Sequence, residues 1–127
     1  MQSGFKLPNG SIVGSVVTVF KSATQGRNAY KRAYTLAAVR CLAQGLHSTE
    51  NAKIVSVASL AFPHLAQRTS AYRIVAEFSD GRGYFDFVFL GRGPINLLVY
   101  FAGVRKPFRS SFERGIATLL ARRMNAS

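Results

Sequence analysis

Carboxylates are scarce in this chain. Its 127 residues hold 5 Asp and Glu against 17 Lys and Arg, for a formal charge of +12. Five acids leave little material for general acid–base work, and Glu77, Asp86 and Glu113 form no evident pair on one rigid surface. Cysteine is scarcer still: Cys41 stands alone, so no disulfide can close within the chain. Its neighbours Leu36, Ala37, Ala38, Val39 and Leu42 predict an inert buried thiol rather than a nucleophile. His47 and His64 are the only imidazoles, with Glu50 a lone acidic neighbour, too few ligands for a metal. Long apolar runs are also missing. Ile12 to Phe20 covers nine residues broken by Gly14, Ser15 and Thr18, well short of the roughly 20 that a membrane helix requires. Met1 to Gly10 lacks the charged-then-apolar order of a signal peptide. No nucleophile elbow, internal repeat or low-complexity segment occurs. These absences point to a protein that is not an enzyme and uses no cofactor.

What remains is a chain able to bury a core as one domain over residues 1–127 without covalent staples. A hydrophobic fraction of 48% argues against disorder. The positive excess implies attraction to polyanions: an anionic surface or polymer, or nucleic acid.

Residues 1–11, with Pro8-Asn9-Gly10, read as an irregular lead-in. Ser15–Lys21 alternates like a strand. From Arg27 or Asn28 to Leu46 the absence of proline and the wealth of Ala and Leu predict one long helix, with Gly45 as its stop signal. Ala33, Ala37 and Cys41 would share its close-packing face with Tyr30 and Tyr34. A polar link, His47–Asn51, leads to a strand over Lys53–Phe62 that Pro63 ends.

The clearest stretch is Ala71 to Phe101, three antiparallel strands with turns at Asp80-Gly81 and Gly91-Arg92-Gly93. The first turn sets Ala76, Ile74 and Tyr72 against Phe85, Phe87 and Phe89. A three-residue second turn would place Ile95, Leu97 and Val99 on that same face. After Pro107, Ser110 to Glu113 matches a capping box, and Phe112, Ile116 and Leu119 form the expected apolar stripe of a C-terminal helix. The expected fold is α+β: an antiparallel sheet of about four to five strands, with a long N-terminal helix and a C-terminal helix packed on it.

Two candidate sites follow. Arg73, Tyr84, Asp86, Asn96 and Tyr100 would share the reverse face of the sheet. They read either as a recognition site for a small ligand or as an ion pair aligning the strands. Arg105, Lys106 and Arg109 cluster before the last helix and could grip an anion, or form a solvated face. The Gly-Arg-Gly turns join strand to strand, so they are not phosphate loops. Arg82 and Arg92 would sit at opposite ends of the sheet. A base-stacking surface would need Phe85, Phe87 and Phe89 bare, whereas the register turns them inward.

"SVVTVFKSATQGRNAYKRAYTLAAVRCLAQGL" (Ser15–Leu46), "FPHLAQRTSAYRIVAEF" (Phe62–Phe78), "YFDFVFLGRGPINLLVYF" (Tyr84–Phe101) and "PFRSSFERGIATLLARRM" (Pro107–Met124) resemble the small extracytoplasmic α+β domains of actinobacteria. Those domains occur as lipoproteins and as sensor domains of membrane serine/threonine kinases, with a PsbP-like arrangement. The resemblance implies a helix-flanked antiparallel sheet and a binding or sensing role outside the membrane, commonly without an identified ligand. It carries an extracytoplasmic or secreted address if a signal peptide precedes this sequence, and a cytoplasmic one otherwise. The expected function is a non-enzymatic binding or sensing domain with a basic surface, with a nucleic-acid-binding module as the alternative.

Overall fold

A computed structural model describes residues 2–126; Met1 and Ser127 lie outside them. The hairpin β1 (Gln2–Lys6) and β2 (Ile12–Val19) precedes two helices, α1 (Ala23–Ala33) and α2 (Leu36–Glu50). Four strands follow, β3 (Lys53–Ser59), β4 (Arg68–Phe78), β5 (Gly81–Arg92) and β6 (Ile95–Val104), and α3 (Ser110–Asn125) completes the order. The α+β class and the antiparallel sheet are as expected. Six strands rather than four to five make that sheet, in the order β1-β2-β6-β5-β4-β3.

The additional strand comes from the presumed lead-in. Leu7–Ser11 closes a turn, with Leu7 N–H donating to Ser11 O at 2.7 Å and Ser11 N–H to Asn9 Oδ1 at 3.0 Å. That turn folds β1 back onto β2, pairing Phe5 with Val13. Pro8-Asn9-Gly10 is therefore a hairpin turn, and β2 starts at Ile12, three residues before the alternation suggested. At the other edge β3 stops at Ser59, short of Phe62.

The long N-terminal helix is two helices. Thr35 takes an extended backbone and its Oγ1 accepts from Ala38 N–H at 3.2 Å, so it caps a new helix in the middle of a helix-favouring run. With the break, α1 lies against β5 and β6 while α2 lies against β3 and β4. Gly45 does not stop α2. The helix runs to Glu50, making His47 helical, and ends where Asn51 enters the left-handed region at φ +54. Cys41 is exposed, because Val39 and Ala43 are the residues α2 buries.

Both hairpin registers differ from expectation, with different consequences. β4 and β5 join through Ser79-Asp80, pairing Ile74 with Phe85 and Tyr72 with Phe87. This is a slip of two, so every side chain keeps its predicted face. β5 and β6 join through Gly93-Pro94, with Arg92 opposite Ile95. Gly93, at φ +54, supplies the positive φ of the turn. Gly91 lies within the strand, where a Cβ would come 2.4 Å from Arg68 Nε. A two-residue loop in place of three moves each β6 side chain to the other face.

Ile95, Leu97, Val99 and Phe101 consequently pack under α3 with Val88, Leu90, Ala117 and Ala121. Phe89, Ile74, Tyr30, Val39 and Ala43 fill the layer under α1 and α2, where Phe85 and Phe87 are half-buried. The sheet thus carries helices on both faces. Apolar residues on successive positions of β5 and β6, rather than strict alternation, reflect that double burial.

Candidate functional site

The reverse-face cluster is divided by the flip of β6. Arg73, Tyr84 and Asp86 stand on the α3 face, whereas Asn96 and Tyr100 stand on the α1/α2 face. Asn96 is buried there, donating to Gly26 O at 2.9 Å and accepting from Arg68 Nη2 at 3.0 Å, which ties α1 to the β5–β6 turn. Tyr100 lies across from Phe87.

Arg73 and Asp86 are directly opposite on β4 and β5 and form a bidentate pair, Nε to Oδ1 at 2.6 Å and Nη2 to Oδ2 at 2.8 Å. The hydrogen bond to Asp86 holds the Arg73 guanidinium above its usual range. Asp86 is 2% exposed.

Its second partner went unread in the sequence. Glu113, 1% exposed, descends from α3 and its side chain hydrogen-bonds Asp86. Burial first, then that hydrogen bond, then the charge of Asp86, push the Glu113 carboxyl up to about 9, against the opposing pull of Arg73. At neutral pH Glu113 is a neutral acid donating its proton to the Asp86 carboxylate. Its Oε2 is buried without a hydrogen-bond partner.

The capping box is absent as a result. Arg109 is the N-cap of α3 and no side chain caps it. The buried stripe is Glu113, Ala117, Ala121 and Met124, one position round from the predicted one, and Phe112 and Leu119 are 38% and 46% exposed. Spacings of four, four and three from Glu113 were the available signal; a glutamate heading an apolar stripe looked like a cap because a buried partner could not be foreseen.

Lys106 and Arg109 do come together. They line a cleft of about 270 Å³ with Leu7, Asn9, Ser11, Pro107, Phe108 and Phe112. Phe108 and Phe112 stack at 5.5 Å. Ser110 and Ser111 begin α3, so their backbone N–H groups have no acceptor within the helix. Among the described residues its lining contains no carboxylate.

Arg105 belongs elsewhere. With φ at +70 it turns to a separate cleft of about 260 Å³ beside Asp80 and Arg82, its N–H donating to Arg82 O at 2.8 Å. A third basic groove, between α2 and β3, is lined by Arg40, His47 and Lys53. His47 Nδ1 lies 2.9 Å from Ala52 O.

Among the described residues no three His, Cys, Asp or Glu side chains converge as a metal ion would require. No described helix is long and apolar enough to cross a membrane. No protein family matches the chain, and neither does any of the curated proteins.

Proposed function

We propose that this is a non-enzymatic binding domain that takes an anionic ligand in the cleft between the β1–β2 turn and the start of α3. The observation that carries the reading is that Lys106 and Arg109, the latter the N-cap of a helix without a side-chain cap, line one cleft that holds no carboxylate among the described residues. Two cations beside the positive end of a helix favour a carboxylate or phosphate group. The net charge of +12 raises the local concentration of any such ligand. Absence of catalysis is part of the proposal, supported by the position of the one buried carboxyl pair. Asp86 and Glu113 engage each other and Arg73 and line none of the clefts described. A sensing role and an address outside the cytoplasm come with the family resemblance and belong to the same proposal.

The test is an amide NMR titration with inorganic phosphate at low salt. The Ser110 and Ser111 amides should shift, and the shifts should vanish in Lys106→Ala/Arg109→Ala. Unmoved amides, or shifts that persist in the double variant, would refute the site. Single-stranded or duplex DNA binding that survives the double variant, with a steep salt dependence, would install the nucleic-acid module in its place.

A further inference from the structure

The wall of the Lys106/Arg109 cleft continues past Phe112. One helical turn on, Ile116 and then Leu119 and Leu120 face Phe5 and Val13 across a second trough of about 260 Å³. Its origin is architectural. α3 lies over β5 and β6, while β1 and β2 carry the sheet on beyond the helix as a shelf. Phe5 and Leu7 alternate onto the same side, one floored in each cleft. From Arg109 to Leu120 the helical wall runs about 16 Å. Phe5 at 51% and Leu119 at 46% exposure leave the trough open to water. Among the described residues none that lines it is charged, whereas those of the adjoining cleft include two cations and no acid.

We infer that the two clefts form one groove for a single-chain anionic amphiphile, with its acid group at Lys106 and Arg109 and its hydrocarbon chain along Phe112, Ile116 and Leu119. The inference rests on the anion site proposed above. The charge pattern selects the occupant: a cationic amphiphile would meet Lys106 and Arg109 at the head end, and a second copy of a +12 chain would be repelled. An apolar trough leading out of a cationic one fits a ligand with both characters. Together the clefts reach the size of ordinary small-molecule sites, at about 270 and 260 Å³.

Calorimetric titration with dodecanoate, hexanoate, dodecyltrimethylammonium and inorganic phosphate, each below micelle formation, tests this. Dodecanoate should bind at least tenfold tighter than hexanoate, and dodecyltrimethylammonium should not bind. Leu119→Gln and Phe5→Ser, both at exposed positions, should each weaken dodecanoate at least fivefold and leave phosphate unchanged. Equal affinity for the two carboxylates, abolished by Lys106→Ala/Arg109→Ala, would sink the amphiphile and leave the anion site standing. No binding of any anion would sink both. Dodecyltrimethylammonium binding as tightly as dodecanoate, or a dimer in light scattering that Leu119→Gln disperses, would also overturn the inference.

Discussion

Glu113→Gln should turn a pH-sensitive protein into a less sensitive and, at neutral pH, more stable one. In the native protein the Glu113 carboxyl is pushed up to about 9 from an ordinary 4.5, chiefly by burial and then by its bond to Asp86. Folding therefore favours proton uptake. Its contribution to stability is fully present below pH 4.5 and is lost progressively as pH rises towards 9. Each pH unit inside that window removes about 1.4 kcal/mol, so two units, from pH 5 to pH 7, remove about 3 kcal/mol at most. Glutamine keeps a donor for the Asp86 carboxylate and does not titrate. Urea unfolding of both proteins at pH 5 and pH 7 reads the difference. At pH 5 the two should be similar, and at pH 7 the variant should be more stable by up to about 3 kcal/mol. A variant-minus-native difference that is the same at both pH values would mean that Glu113 ionises normally, and the account of α3 held by a carboxyl–carboxylate bond would fail.

Two further outcomes follow from close packing and exposure. A Cβ at Gly26 would lie 2.5 Å from Gly93 O and 3.0 Å from Pro94 Cα, both backbone. Gly26→Ala should therefore cost about 2 kcal/mol by forcing α1 off the β5–β6 turn, as thermal or urea unfolding would record; an unchanged stability would show that contact to be loose. Cys41, exposed on α2, should react fully with a thiol reagent without denaturant. A thiol that needs unfolding to react would restore the buried position that its apolar neighbours suggested.

Much of the fold was legible where local chemistry and tertiary structure agree. Phe85, Phe87 and Phe89 alternate, and alternation puts them on one face whatever the register. The slip of two in the β4–β5 hairpin thus left the faces correct. The β5–β6 hairpin was different because Gly91-Arg92-Gly93 offers two glycines and only Gly93 turns the chain. Since Leu97, Leu98 and Val99 are all apolar, either parity buries something, and hydrophobic pattern could not arbitrate. The candidate site suffered from that ambiguity. Lys106 and Arg109 were legible as a local run, but Leu7 and Asn9 reach the same cleft only through pairing of β1 with β2.

By itself the sequence determined the α+β class, the positive charge, the strand faces around Phe87 and the presence of a C-terminal helix. These depend on residue type and short-range periodicity, which a chain carries before it folds. Tertiary structure alone decided that Glu113 meets Asp86 rather than capping its own helix, that Arg105 leaves Lys106 and Arg109, and that β1 and β2 overhang α3. Each joins residues distant along the chain, and only the assembled sheet fixes which of several locally acceptable partners is within reach.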